Sequence, residues 1–193
     1  MTMNLNLIFN ILATIIWILF ASFRLRVSVE NGNLLSFLLA LQSGIIAYFL
    51  LMRRKASKSS QLSQQAFAWF GAIAPLLIRV DEGCSTIGIY FAFAGTIFTT
   101  WALLTLGRSF GIAPADRGLV QKGPYKIVRH PMYAGELLVL FGGAISCFST
   151  KNILVFFTLF LTFYLRIRWE EKIITGYEAF KKRVPWRLIP KIW

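Results

Sequence analysis

The apolar residues of this chain come in long continuous runs, not at the spacing of an amphipathic helix. Six runs are separated by short polar stretches and cover residues 5–23, 34–52, 66–80, 86–106, 133–148 and 152–165. The first, second and fourth approach the about 20 residues that a helix needs to cross the hydrocarbon core of a bilayer. The pattern therefore predicts an all-α, polytopic membrane helix bundle with five or six transmembrane helices.

The third, fifth and sixth runs are shorter than a full membrane span. The third contains Pro75, and its helix is predicted to begin earlier, at Leu62. The fifth and sixth are separated by only a few residues and predict a tight helical hairpin, whose second helix continues into Arg166. Counting all of these runs as spans gives six transmembrane helices, and five is the alternative.

Composition supports a membrane protein and argues against a nucleic-acid-binding one. The chain has 193 residues, of which 56% are hydrophobic and 16% aromatic, and its formal net charge is +13. A protein that reads nucleic acid carries its basic face on a soluble fold. Here the basic residues flank apolar runs, so we expect them to set the topology and to attract anionic lipid headgroups.

The distribution of Lys and Arg predicts how the bundle lies in the membrane. With six spans and a cytoplasmic N-terminus, 17 of the 21 Lys and Arg residues fall on the cytoplasmic side, in line with the positive-inside rule. Omitting the third span would move the cluster at 53–58 to the opposite side. We therefore expect a multi-pass protein with both termini in the cytoplasm. Arg24 and Arg26, directly after the first span, locally favour the reverse orientation.

The two cysteines, Cys84 and Cys147, are isolated and lack the spacing of metal ligands. No metal site is expected. Both cysteines would lie near the outer face, where a disulfide is the alternative to the expected buried free thiols.

The chain divides into two parts by the character of its sequence. Residues 1–106 are predicted to form N-terminal transmembrane helices, in which Ser36, Gln42, Ser43 and Gly44 are interpreted as helix-packing residues. We predict no chemistry in this part. Residues 107–193 contain the candidate functional motifs.

A polar segment with two prolines, between two apolar runs, is the strongest candidate for chemistry. Residues 123–133 read Gly-Pro-Tyr-Lys-Ile-Val-Arg-His-Pro-Met-Tyr and include His130, the only histidine of the chain. Pro131 biases His130 away from the helical region and tends to end the preceding structure. A polar segment at the mouth of a membrane bundle is a better candidate for ligand binding than for a simple connection.

The C-terminal part resembles the isoprenylcysteine carboxyl methyltransferase family. With the phospholipid N-methyltransferases, that family forms a group of membrane enzymes that use S-adenosylmethionine. The resemblance covers about 85 residues and rests on the following motifs: Leu106-Gly107-Arg108-Ser109-Phe110, Leu119-Val120, Gly123-Pro124-Tyr125, Arg129-His130-Pro131-Met132-Tyr133, Arg166 with Glu170-Glu171, and Arg183-Val184-Pro185.

The resemblance implies that residues 107–193 form an S-adenosylmethionine-binding region, with a helical hairpin and a tail that enclose the cofactor on the cytoplasmic side. Backbone groups and aromatic rings would bind the adenosine, and ring faces would also attract the sulfonium cation. No metal is required. The implied cofactor-binding residues are Arg117, Gly118, Leu119, Val120, Tyr125, His130, Pro131, Met132, Tyr133 and Glu170.

Arg166 and Glu170 are the predicted catalytic pair. They are four residues apart, so on a helix that leaves the last span they share one face. The resemblance implies that Glu170 accepts hydrogen bonds from the cofactor ammonium, while Arg166 holds a substrate carboxylate in a bidentate contact. The structural alternative is a salt bridge, with Arg166 extending towards the interface.

Two departures from the family pattern concern the cofactor contacts. The family usually has His at the position of Arg117, and the segment between Glu171 and Tyr177 is several residues shorter than the familiar form. Tyr177 and Phe180 are therefore approximate equivalents of the tail's cofactor residues. Arg168, Glu171 and the basic run at 181–183 are expected on the solvated surface, and the ending at 186–190 is expected to fold back on the bundle.

The resemblance implies an S-adenosylmethionine-dependent methyltransferase that takes a lipophilic acceptor from the bilayer. A carboxyl O-methyltransferase for a prenylcysteine-like acceptor is the favoured prediction, and a phospholipid N-methyltransferase is the first alternative. A prenylcysteine carboxylate is ionised at neutral pH and needs no general base. A phosphatidylethanolamine amine would have to lose a proton, with Glu171 as the nearest candidate base. Small thiols are a third acceptor. The alternatives from other classes are an NADPH-dependent sterol-type reductase and a non-catalytic membrane interaction protein.

Overall fold

Helices account for nearly all of the regular structure, as the apolar runs predicted. A computed structural model describes residues 5–78 and 85–193. In this part of the chain the α-helices are α1 Leu5–Asn31, α2 Leu34–Met52, α3 Leu62–Ile73, α4 Ile87–Leu106, α5 Pro131–Ser146, α6 Thr150–Ile173 and α7 Tyr177–Arg183. Two short strands, β1 Lys58–Ser59 and β2 Ala115–Asp116, pair antiparallel.

The long apolar helices confirm a membrane helix bundle. In the described residues, four segments are long and apolar enough to cross a membrane: Asn10–Asn31, Leu34–Met52, Ile87–Ser109 and Thr150–Ile173. The third and fifth predicted spans form shorter helices, α3 and α5. Helix α3 begins at Leu62, as predicted, and changes at Ala74 into a 3-10 turn with Pro75 near its start. Proline has no N–H for the α-helical ladder, which explains the change.

Local capping residues explain the tight turns between the long helices. Asn33 accepts a hydrogen bond from Ser36 N at 3.1 Å and caps α2. Ser149 accepts one from Asn152 N at 3.2 Å and caps α6. Asn and Ser favour this position because their side-chain oxygens satisfy free N–H groups of the first turn. The first turn joins α1 to α2, and the second joins α5 to α6 in the predicted helical hairpin.

Glycines at matching positions bring α4 and α5 into direct backbone contact. A Cβ atom built at Gly95 would lie 2.7 Å from Gly135 O, and one built at Gly142 would overlap Gly88 O. The two pairs run in reverse order along the chain, so the helices are antiparallel. Small residues allow the close backbone approach on which helix association in membranes depends. This contact fixes both helix ends that flank loop 107–130.

Three segments that are far apart in sequence meet at one end of the bundle. Arg54 N donates to Arg108 O at 2.8 Å, and Ser57 N donates to Asp116 O at 2.9 Å. Arg129 N donates to Trp186 O at 2.9 Å, which brings the C-terminal tail onto the same loop. We call this end, formed by residues 53–60, 107–130 and 174–193, the loop end. Leu188 is buried against α5 and α6, so the tail folds back as predicted.

The residues that we interpreted as helix-packing in α2 have three different environments. Ser43 accepts a hydrogen bond from Arg24 Nη1 at 2.7 Å and is fully buried. Gly44 is exposed, with no atom within 4 Å of a built Cβ, so the packing interpretation was wrong for this residue. Gln42 lines a cavity described below.

The expectation of two free thiols is also corrected. Cys147 is disulfide-bonded. Cys84 lies outside the described residues.

Gly142→Ala is expected to lower thermal stability, because the added methyl group would overlap the carbonyl of Gly88. Overpacking of this kind costs about 1–3 kcal/mol. Gly44→Ala is the matched control, since it adds the same methyl group to a helix where space is open. Thermal unfolding of the two proteins in the same detergent measures the difference. Equal stability would contradict the direct contact between α4 and α5.

Candidate active site

A cleft at the loop end is lined, among the described residues, by residues between Leu106 and Phe180. The space between its walls, together with the open solvent at its mouth, is about 720 Å³. Nine of the ten predicted cofactor-binding residues line it: Arg117, Gly118, Leu119, Val120, Tyr125, His130, Met132, Tyr133 and Glu170. The tenth, Pro131, is the buried first residue of α5. Arg166 of the predicted catalytic pair does not line this cleft.

Prolines and the tail shape the wall of the cleft that carries His130. Pro124 lies in a 3-10 turn, Gly123–Lys126, and Pro131 starts α5 with its fixed φ angle. His130 N donates to Arg187 O at 2.9 Å, next to the Arg129 contact with the tail. The loop therefore forms a short extended pairing with the tail, and this pairing holds His130 in a buried position.

The side chain of His130 contacts residues of two other helices. Its Nε2 lies 2.8 Å from the hydroxyl of Tyr177, which belongs to α7. Its Nδ1 lies 3.7 Å from Glu170 Oε2. Tyr177 and Phe180 both line the cleft. The sequence identified these two tail residues only approximately, and the structure brings them into the same site as His130.

Tyr133 links Glu170 to Arg166. The Tyr133 hydroxyl donates to Glu170 Oε1 at 2.5 Å. The Arg166 guanidinium lies 5.0 Å from the centre of the Tyr133 ring and donates from Nη2 to Ile112 O at 2.6 Å. In the described residues Arg166 and Glu170 form no direct ion pair, so the simple salt-bridge interpretation of their spacing was wrong. Glu170 lines the first cleft, and Arg166 lines a second cavity.

Glu171 is the centre of a buried polar cluster, which corrects its predicted surface position. Arg187 donates to both of its oxygens, at 2.9 and 3.1 Å, and Tyr177 donates to Oε1 at 3.3 Å. Arg129 Nη2 lies 3.6 Å from the same carboxylate. The bidentate hydrogen bond raises the pKa of Arg187. Tail, loop and α7 therefore converge on one carboxylate.

Asp116 is a buried residue that joins the loop after α4 to the segment after α6. Its carboxylate accepts hydrogen bonds from Gly118 N at 3.1 Å and Thr175 N at 3.0 Å. Burial acts to raise the pKa of Asp116, but the hydrogen bonds from Thr175, Gly118 and Ser57 outweigh it and leave the pKa below its usual value. No sequence motif marked this residue, since its partner across the cleft, Thr175 N, is 59 residues away in the chain.

Burial shifts the pKa values of several tyrosine and arginine side chains that line the cleft. Burial raises the pKa values of Tyr125 and Tyr177 well above the ordinary tyrosine value, so both stay neutral. Burial, with the nearby positive charge of Arg53, lowers the pKa of Arg117 to about 10. Two polar atoms of Arg129, Nε and Nη1, are buried without a hydrogen-bond partner in the described residues.

A second cavity lies inside the helical bundle, and helices α1 to α6 all contribute to it. It contains about 920 Å³ of space and is mainly apolar. Its polar lining residues are Arg24, Gln42, Thr99, Glu136 and Arg166. Phe110 and Met132 line both cavities and form the wall between them.

Several polar groups of the second cavity have no partner in the described part of the chain. Gln42 Oε1, Thr99 Oγ1 and Arg166 Nε are buried without hydrogen bonds. The Glu136 carboxylate makes no hydrogen bond or salt bridge in the described residues, although the charge of Arg166 attracts it. Native proteins pair such groups almost always. The cavity is therefore suited to a ligand with an apolar body and a polar group.

Comparison with protein families identifies the C-terminal half. The model of the phospholipid methyltransferase family matches residues 83–181, just over half of the chain, and this range contains every lining residue of the first cleft. The chain belongs to the phospholipid methyltransferase family. A search of curated proteins gave no match. The family indicates a membrane methyltransferase with a lipid substrate, and it argues against the reductase and non-catalytic alternatives.

This phospholipid methyltransferase family member has functional candidates that the sequence did not single out. Arg129 stands beside His130 in the recognised motif, so its position was a usable signal. Glu136 lies four residues, one helical turn, after Met132 in an otherwise apolar run, and a lone carboxylate in such a run is a signal for function. Gln42 and Arg24 gave no such signal, because their roles depend on how α1 and α2 pack against the rest.

Asp116→Asn is expected to reduce stability by about 1–3 kcal/mol, because an amide NH₂ would face a backbone N–H and leave a buried donor unpaired. The pKa of Asp116 is lowered in the folded protein. Its contribution to stability is therefore full above the ordinary Asp pKa, about 3.9, and is lost as the pH falls through the lower folded value. Thermal unfolding of both proteins from pH 6 to pH 3 should show the gap closing in acid. A gap independent of pH would contradict this role.

Proposed function

We propose that this protein is an S-adenosylmethionine-dependent methyltransferase that methylates the amine of a phospholipid headgroup. The cofactor would bind in the first cleft, and the acceptor would enter the second cavity from the bilayer. The observation that carries the choice of an amine is the unpaired Glu136 carboxylate that faces the second cavity. A cationic headgroup is the partner that such a carboxylate lacks.

The residues of the first cleft suit the groups of S-adenosylmethionine. Glu170 would accept from the amino acid ammonium, because its Oε2 makes no hydrogen bond to other described residues, whereas Oε1 accepts from Tyr133. The unpaired guanidinium atoms of Arg129 suit the carboxylate. The rings of Tyr125 and Tyr177 offer stacking for the adenine and an electron-rich face for a cation. When bound, the cofactor supplies an electrophilic methyl group.

The second cavity would position the acceptor and exclude water. Its apolar lining suits acyl chains, and Phe110 and Met132 form the wall between it and the cofactor cleft. Holding the two reactants at a fixed distance and orientation supplies much of the rate acceleration of a methyl transfer. An acceptor ammonium must lose a proton before it becomes a nucleophile, and Glu136 is placed to take that proton.

The alternative base that the sequence suggested, Glu171, is poorly suited to this role. Its two oxygens already accept from Arg187, and its neighbours His130, Tyr177 and Arg129 surround it. It also lines neither cavity. We therefore propose that Glu171 stabilises the structure of the site and does not act as the base.

A carboxylate acceptor, such as a prenylcysteine, is the second candidate. Arg166 favours it, since this guanidinium lines the second cavity and its Nε lacks a partner. Arg166 would then bind the acceptor carboxylate, and no base would be needed. In this case Glu136 would repel the acceptor, so the two candidates predict opposite effects of its removal.

We also propose that the loop end faces the cytoplasm and that residues 107–193 form the cofactor-binding region. Residues 1–106 would then contribute the acceptor cavity, a role that the sequence did not suggest. The orientation follows from the Lys and Arg distribution. Labelling of a cysteine at Lys126 by an impermeant thiol reagent outside intact cells would contradict it.

Glu170→Gln is expected to weaken binding of S-adenosylhomocysteine about 10- to 100-fold, as expected for the loss of a charge-assisted hydrogen bond. Glu178→Gln is the matched control, because this glutamate on α7 is exposed and makes only a surface pair with Lys181. Isothermal calorimetry of the detergent-solubilised proteins measures both, with NADPH as a comparison ligand. Binding of NADPH in preference to S-adenosylhomocysteine would overturn the proposed cofactor.

Glu136→Gln and Arg166→Lys distinguish the two acceptors. For an amine acceptor, Glu136→Gln should lower kcat by about 10²-fold or more, as for loss of a general base, while cofactor affinity stays unchanged. For a carboxylate acceptor, Glu136→Gln should retain or improve turnover and Arg166→Lys should impair it, since lysine cannot form a bidentate contact. Methylation of lipid extracts with labelled cofactor measures both. Full activity of Glu136→Gln on an amine lipid would exclude the proposed base.

A further inference from the structure

A third cavity opens at the loop end, beside the first cleft. It contains about 1120 Å³ of space and lies between the ends of α1, α2 and α3 and the segment 112–117. One part of its lining is apolar and includes Ala13, Leu50, Leu62 and Trp69. The other part is polar and includes Asn10, Arg53, Gln65 and Arg117. Only Ala113, Ala115 and Arg117 also line the cofactor cleft.

The third cavity brings two arginines together without an acidic residue in its lining. Arg53 and Arg117 are its only charged lining residues. Neither forms an ion pair with a carboxylate in the described part of the chain. Burial lowers the pKa of Arg53, and burial together with the charge of Arg53 lowers that of Arg117. Each guanidinium therefore raises the energetic cost of charging the other, a cost that an anion between them would offset.

Nearby carboxylates do not supply this missing negative charge. Asp116 is adjacent in sequence, but its oxygens accept from Gly118 N and Thr175 N. Glu170 attracts Arg117 from the cofactor cleft, and it does not line the third cavity. The arginines therefore face the third cavity with unmatched charge.

Unpaired polar atoms in the same cavity indicate which polar groups its ligand would carry. Arg117 Nε is a buried donor without a partner, and Asn10 Oδ1 is a buried acceptor without a partner. A phosphate group would accept from the guanidinium, which matches phosphate oxygens in a planar, two-point contact. A hydroxyl beside the phosphate would donate to Asn10.

The apolar half of the cavity favours a lipid as the source of the phosphate. Leu50, Leu62 and Trp69 would lie along an acyl chain, whereas a free phosphate ion makes no use of them. Trp69 also fits a position at headgroup depth, where indole rings are enriched. The absence of a carboxylate from the lining removes any partner for a cationic headgroup, so the charge selects an anionic one.

We propose that the third cavity binds the phosphate of an anionic phospholipid headgroup between Arg53 and Arg117. This site is separate from the acceptor cavity, whose Glu136 selects a cation, and the proposal does not depend on the reaction that the protein catalyses. Because Arg117 also lines the cofactor cleft, lipid binding would fix a residue of that cleft.

The test measures phosphatidylglycerol binding to the full chain in maltoside micelles, which contain no phosphate, by native mass spectrometry and by the shift in thermal unfolding. Phosphatidylglycerol has no amine, so the acceptor cavity does not favour it. Wild-type protein should bind one molecule saturably, and Arg53→Gln should raise the dissociation constant at least tenfold. Arg54→Gln is the matched control, because this exposed neighbour removes the same charge and does not line the cavity. It should change the constant less than twofold.

Further variants and ligands distinguish the proposed site from its alternatives. Arg53→Lys should restore binding to within a few fold of wild type, and unchanged S-adenosylhomocysteine affinity shows that Arg53→Gln is folded. Equal losses in Arg53→Gln and Arg54→Gln would overturn the site in favour of general attraction to a basic surface. Diacylglycerol binding as tightly as phosphatidylglycerol would overturn the role of the phosphate. Inorganic phosphate binding equally tightly would overturn the lipid as its source.

Discussion

The partly buried carboxylate of Glu171 is the interaction on which the first cleft depends. Arg187 from the tail, Arg129 from the loop and Tyr177 from α7 all converge on it, and Arg129 and Tyr177 line the cleft. A carboxylate in this position is costly to bury without partners. Its presence therefore forces the tail to fold back, and the backbone pairing of Arg129 and His130 with Trp186 and Arg187 follows from the same requirement.

This dependence explains why consecutive glutamates have different roles. Glu171 has its oxygens engaged by arginines and stabilises the walls, whereas Glu170 accepts one hydrogen bond from Tyr133 and faces the open cleft. Successive residues of a helix point in directions about 100° apart. One glutamate of the pair is therefore held by the fold, and the other is free for a ligand.

The sequence predicted the helices and the composition of the cleft better than it predicted the polar interior. Apolar runs locate helices because a bilayer requires continuous apolar residues. Helix α6 extends beyond its apolar run, to Ile173, because its charged last turns pack against the loop end instead of lipid. The partners of Glu171 are in the loop and the tail, and the sequence alone does not show that they meet. Glu171 was therefore expected on the surface. Its true position can be recognised only from the three-dimensional fold. The same is true of Gln42 and Arg24, which line the second cavity.

The charged residues of the second cavity have a physical cost that the fold alone does not offset. Arg24, Glu136 and Arg166 lie among membrane helices, where an ionisable side chain is expensive. Arg24 is partly satisfied by Ser43, and Arg166 by Ile112 O and the Tyr133 ring. Glu136 makes no hydrogen bond or salt bridge in the described residues, although the charge of Arg166 attracts it. A bundle selected only for stability would replace Glu136 with an apolar residue. Its retention is understandable if the polar group of an acceptor completes the cavity beside the wall of Phe110 and Met132, where the reaction would occur.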